Sequence, residues 1–234
     1  SADDESEGLV NGVIELVIGQ GARLRYIGGQ DANEKTWVFG AQRAIVDRDG
    51  HLDWIVLGFG GKSGKVFVET KLDGPGAHGT VTGAYATHNR QHVDYDTLQE
   101  HAAPNTTSDL AFRGILDGRS SAVWRGMIQV DEGAQKTDAF QESRNLILTK
   151  KAHADAIPGL EILADDVRCT HAAAIAKIDD EQVFYLRSHG LPQSKAQRLV
   201  VEGFLEAVSE RFEEGLVRDT VGGAIERRLQ TVLG

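Results

Sequence analysis

One cysteine, one methionine and four prolines are all that the 234 residues hold of those types. A single cysteine forms no internal disulfide, so the chain is not a disulfide scaffold and is compatible with a reducing compartment. No run of about 18 apolar residues occurs, which excludes a membrane-spanning helix. The acidic start SADDESEG does not read as a secretion signal. Basic charge is also short. Lys and Arg number 25 against 35 Asp and Glu, for a formal charge of -10, and stretches such as RAIVDRDGHLD and IERRLQ mix both signs without forming a basic patch. Such a surface repels a phosphate backbone. The expectation is an acidic cytoplasmic protein with neither nucleic acid nor membrane as a partner.

Glycine is what the chain has in quantity, at 27 residues. Scattered among valines and isoleucines, with no G-x-y period, these glycines suit a backbone that turns often. GVIELVI, ARLRYI, KTWVFGA, RAIVD, LDWIVLGF, KVFVETKL and TVTGAYAT are each five to eight residues long, rich in β-branched and aromatic side chains, and mostly bounded by Gly or Asp/Asn turns. They read as closely spaced strands. Gly-Ala recurs at the turns in QGARL, FGAQR, PGAHG and EGAQK. Short, irregularly spaced rungs of this kind suit a solenoid of strands, each coil burying its inward side chains against the next. A sandwich or closed barrel is the structural alternative.

The pattern changes near Ile178-Asp179. DDEQVFYLRSHG reads as a helix stopped by Gly190, and Pro192 falls where a first helical turn tolerates proline. Leu199, Phe204, Val208 and Phe212 then form one helical stripe, and Val217, Val221, Ala224, Ile225 and Leu229 a second. The expected organisation is a disordered segment over 1–8, a β core over 9–178 and a small helical domain over 179–234.

Most motifs of chemical interest fail on context. GPGAHG (74–79) matches the glycine spacing of a dinucleotide loop but leads into a strand-like segment and contains Pro75. FGGKSGKV lacks the first glycine of a phosphate-binding loop. His88, His92 and Asp94 suggest a metal-binding strand face, equally well explained as exposed polar surface, and Asn105-Thr106-Thr107 is a sequon without a secretion signal. Asp94, Asp96 and Glu100 are the carboxylates that a polysaccharide-active β-helix enzyme would use. VRCTHAAAI (167–175) carries more. Cys169 and His171 at i and i+2 of a strand share a face, about 7 Å apart along the backbone. Thiolate and imidazole are donors for zinc, copper or iron, although two ligands make an incomplete site. The alternative is a small buried thiol beside a hydrogen-bonded histidine.

The segments TTSDL, GAQKTDA, IPGLEI, DDVRCTH, EQVFYLRSHGLP and VEGF resemble the SufB/SufD family of iron–sulfur cluster assembly proteins over roughly residues 92–208. Within it the chain is most similar to SufD-type members. SufB-type chains carry a cysteine on the strand matching QESRNLIL and a glutamate after the histidine matching His171; here that strand has no cysteine and Ala172 follows His171. The resemblance implies a right-handed parallel β-helix followed by a C-terminal helical domain. It implies a non-catalytic scaffold that pairs with SufB through the β core and with the ATPase SufC through the helices. A homodimer is expected in isolation. His171, with Cys169 beside it, is implied as a ligand of a transient iron–sulfur cluster at the partner interface.

Overall fold

The computed structural model describes residues 6–233, of which all but the helical C-terminal part is a parallel β-solenoid. One sheet contains β1 (Gly8–Ile18), β3 (Thr36–Val46), β5 (Ser63–Leu72), β7 (His92–His101), β9 (Ser121–Val130) and β11 (His153–Ile162). The other contains β2 (Arg23–Gln30), β4 (His51–Gly58), β6 (His78–Thr87), β8 (Thr107–Leu116), β10 (Asp138–Ile147) and β12 (Arg168–Lys177). The chain alternates between the two sheets, and each strand pairs in parallel with the strand two further along, giving six coils. KTWVFGA and RAIVD, read as two strands, are the single strand β3. Gly40 in its middle faces inward and lies over Val66, where an added Cβ would already be 3.3 Å from that side chain. The segment expected to be disordered, 1–8, lies outside the described residues as far as residue 5, and Gly8 opens β1.

Register sets the core. Residues two apart on a strand share a face, so every inward position stacks on an inward position of the next coil. Trp54, Val81, Leu110, Gln141 and His171 form one such row. Ala139 and Cys169 belong to the next row. Large and small residues alternate where rings meet. A Cβ on Gly83 would fall 2.3 Å from the Phe112 ring, and one on Gly114 2.2 Å from the Tyr85 ring. Those two glycines make room for an interior chain of aromatics in which Tyr85, Tyr95, Phe112 and Trp124 follow at 5.9, 5.4 and 6.4 Å. Each such ring, once removed from water, contributes about 1.5–3 kcal/mol.

Three helices follow: α1 (Asp180–Ser188), α2 (Gln193–Ser209) and α3 (Leu216–Leu233). The Asp179 carboxylate caps α1 by accepting from the Glu181 and Gln182 amides, and Gly190, at φ +92°, ends it. Pro192 is the N-cap of α2 and does not enter its first turn. Val201, Leu205, Val208, Phe212, Val221, Ile225 and Leu229 pack onto outward-facing Ile55, Leu57, Ala84, Ala86, Ile115 and Leu146. The helices therefore cover the outer face of the even-numbered sheet. Leu199, expected within the buried stripe, is 46% exposed.

Three arginines fasten this layer. Arg228 is buried and donates to the Ala86 carbonyl at 2.9 Å and to Gln91 Oε1 at 2.7 Å. Arg211 donates to Thr82 at 3.0 Å and pairs with Asp109 at 3.2 Å. Arg113 pairs with Glu142 at 3.2 Å while lying over the Phe204 ring. No helix of the described residues is long and apolar enough to cross a membrane.

Candidate functional site

The last coil ends in two free strand edges. Among the described residues β12 pairs only with β10 and β11 only with β9, so each presents unpaired backbone along its outer side. Cys169, His171, Ala173 and Ile175 of β12 lie on Ala139, Gln141, Ser143 and Asn145 of β10. Across the interior, Ala154, Ala156, Pro158 and Leu160 of β11 lie on Ala122, Trp124, Gly126 and Ile128 of β9. In the middle coils most such positions are buried. Here no coil lies above them, so His171, Leu160, Ile162 and Ile175 are exposed.

Cys169 and His171 do share a face, as their spacing requires, and they differ in environment. Cys169 is half-buried against Ile128, Val130, Ala134 and Ala139. Burial, reinforced by the nearby Asp138 carboxylate, pushes its thiol pKa up. It is therefore a protonated thiol at neutral pH unless a cation or partner group favours the thiolate. His171 is exposed and makes no hydrogen bond or ion pair among the described residues, leaving its ring free to bind.

The floor of the site was missed by sequence reasoning. Gln141 is fully buried beneath His171, and its amide nitrogen donates across the coil to the Gly126 carbonyl at 3.2 Å and the Gly159 carbonyl at 3.1 Å. Its Oε1 is buried without a hydrogen-bond partner. Ser143 and Asn145 continue this polar row, and Asn145 accepts a hydrogen bond from Tyr85. The signal was present in QESRN: three polar residues at alternate positions, all inward.

Among the described residues no group of three or more His, Cys, Asp or Glu is arranged to hold a metal ion. Cys169 and His171, on one face of β12, are therefore not accompanied by a third such side chain among the described residues. The suggested face of His88, His92 and Asp94 is not assembled. His88 sits in the turn before β7, between Glu34 at 2.7 Å and Arg228 at 3.2 Å, whereas His92 bonds to Ser121 at 2.8 Å. Asp94 and Asp96 are held by Lys65 and Arg125, and Glu100 by Lys71 at 2.9 Å. GPGAHG is the turn between β5 and β6, followed by a strand, and FGGKSGKV enters β5 in the same way.

A second exposed surface lies on the helices. Phe184 and Tyr185 of α1 are 71% and 63% exposed, and Tyr185, Leu186, Leu199 and Val200 line a cavity of about 610 Å³ between α1 and α2.

Residues 1–204 match the family model described as the SufBD core domain of the SUF system for FeS cluster assembly. The chain is 32% identical over 235 residues to an iron–sulfur cluster assembly SufBD family protein of Mycobacterium leprae, covering 97% of this chain and 60% of that protein. It is 33% identical over 225 residues to one from Mycobacterium tuberculosis, covering 93% of this chain and 57% of the relative. A second M. tuberculosis SufBD family protein is 28% identical over 208 residues, 89% of this chain and 25% of the relative. The chain thus spans less than two thirds of the length of these relatives.

Proposed function

This chain belongs to the SufBD family of SUF-system iron–sulfur cluster assembly proteins, and from that premise we propose that it is a SufD-like scaffold subunit, cytoplasmic and without catalytic turnover of its own. The observation that carries the reading is the placement of Cys169 and His171 side by side on the last, uncovered coil, between two free strand edges. Partner strands from SufB extend the two sheets there, and groups from SufB complete the donor set around a nascent cluster. Imidazole and thiolate are both ligands for iron. A set divided between two chains suits a cluster that is built and then handed on, because separating the chains dismantles the site. His171 is free to bind as it stands; Cys169 contributes once its proton has left.

The exposed face of α1 and α2, with Phe184, Tyr185 and Leu199, supports docking of the ATPase SufC. Because the helices also pack on β4, β6, β8 and β10, a movement driven by ATP hydrolysis in SufC reaches the solenoid through that contact and opens the junction with SufB. Without SufB, the same two edges pair with a second copy of this chain.

The test is co-purification with SufB and SufC followed by anaerobic loading with iron and sulfide, for the wild type and His171→Ala. A ternary complex whose loading drops at least several-fold in the variant is expected. An intact complex with unchanged loading would reduce the chain to an architectural subunit. Failure to form any complex would overturn the SufD-like assignment.

A further inference from the structure

At the corner where the chain crosses from the even-numbered to the odd-numbered sheet, Lys62, Arg90 and Arg119 converge on one cavity of about 680 Å³, together with Asn89, Gln91, Gly118 and Glu34. The three cations come from three successive coils. Arg90 stands two residues before His92, Arg119 two before Ser121, and His92 pairs with Ser121, so the guanidinium groups project from equivalent positions about 4.8 Å apart. Lys62 precedes Ser63, the partner of His92 one coil earlier. Like charges on adjacent strands repel. Elsewhere on the solenoid that repulsion is relieved by carboxylates: Lys71 pairs with Glu100, Arg125 with Asp94, and Arg113 and Arg144 share Glu142. Arg90 and Arg119 have no such partner, forming neither an ion pair nor a side-chain hydrogen bond among the described residues.

Glu34, the one carboxylate of the lining, does not neutralise them. It is occupied by His88 Nε2 at 2.7 Å and by the Asn89 amide at 3.0 and 3.2 Å. The floor is fixed as well. Gln91 donates to the Gly61 carbonyl at 2.7 Å and accepts from buried Arg228 at 2.7 Å, while Lys62 lies over the Trp37 ring at 5.6 Å. A cavity of small-molecule size, lined by two arginines without ion-pair partners and by a lysine, occurs on a chain whose net charge is -10.

We propose that this corner is a binding site for a small molecule carrying a phosphate or polyphosphate group. Guanidinium forks match phosphate oxygens two at a time, and a multiply charged oxyanion relieves the repulsion along the column. None of the lining residues belongs to the last coil, so occupancy of the site does not depend on cluster ligation.

Inorganic pyrophosphate is the probe, titrated calorimetrically into the intact chain at low ionic strength. Saturable binding with one site is expected, weakened on the order of a hundredfold in the Arg90→Ala/Arg119→Ala double variant. Arg90→Lys/Arg119→Lys keeps the charge but loses the fork, so its affinity falls between the two. Because both residues are exposed, the variants should fold as the wild type does, which a circular dichroism melt verifies. Absence of saturation up to about 10 mM, or equal affinity in wild type and the alanine double variant, overturns the proposal.

Discussion

Gln141 and His171 are neighbours in one inward row, one coil apart, and the lower of the two ties the sheets together beneath the upper. The Gln141 amide spans the interior to strands β9 and β11, so the surface on which His171 rests is cross-linked through a side chain as well as through packing. Gly126 leaves the space this requires: a Cβ there would lie 2.5 Å from Gln141 Oε1.

Gln141→Leu removes both donated hydrogen bonds and leaves the buried Gly126 carbonyl and the part-buried Gly159 carbonyl each short of one donor. A loss of about 1–3 kcal/mol in urea denaturation is expected, with faster amide exchange confined to β11 and β12. Unchanged stability would mean that the cross-link is redundant with packing.

His101 gives a pH dependence with a definite sign. It is fully buried, with Nδ1 at 2.7 Å from Thr106 and Nε2 at 2.8 Å from Ser108, and burial pushes its pKa down to about 4. The folded value lies below the unfolded one of about 6.5, so between these limits the unfolded chain binds the extra proton. The stability carried by the neutral ring is complete above about pH 6.5 and is lost as pH falls toward 4, by roughly 3 kcal/mol in full. His78 shifts in the same direction, through burial first and the stacked His51 ring second. Denaturation midpoints at pH 7.5 and 5 measure the drop. In His101→Gln the drop should shrink, and an identical drop would assign it to other groups.

Strand content and the sharing of a face by Cys169 and His171 were legible because both rest on a two-residue period. The solenoid was legible too, in its short, closely spaced strands, but where it ends was not. Inward positions on both sheets carry the same kinds of residue, so nothing local says that β12 is the last rung and that His171, in the row of Trp54 and Val81, is left uncovered. His88 misled because a turn separates it from His92. The basic corner was invisible for the complementary reason. Lys62, Arg90 and Arg119 lie a whole coil apart in sequence, each among acidic or neutral neighbours, and only the register brings them together. Leu199 fitted a helical stripe whose buried face proves to be centred on Val201, Leu205 and Val208.

Arg228 fastens α3 to the turn before β7, and its loss should loosen the helical layer in preference to the solenoid. Arg228→Met keeps most of the buried stem but removes the donors to the Ala86 carbonyl and to Gln91 Oε1, which is left with only the His88 amide. Destabilisation of about 2–4 kcal/mol is expected. Hydrogen exchange resolves where it falls: α2 and α3 should lose protection while β6 and β8 retain it. Uniform loss across both layers would show that helices and solenoid unfold as one unit.

The open end supplies the last prediction. Leu160 and Ile175, 37% and 47% exposed, stand on the two facing edge strands of the final coil. A lysine at either place adds charge to an edge that otherwise invites strand pairing. In the isolated monomer neither substitution removes a buried contact of consequence, so stability should stay within about 0.5 kcal/mol of wild type. Sedimentation velocity of Leu160→Lys/Ile175→Lys should show a dimer dissociation constant raised at least about tenfold, equivalent to 1.4 kcal/mol. Should the double variant associate as the wild type does, the chains meet through another surface, and Cys169 and His171 would not lie at the junction where a shared donor set requires them.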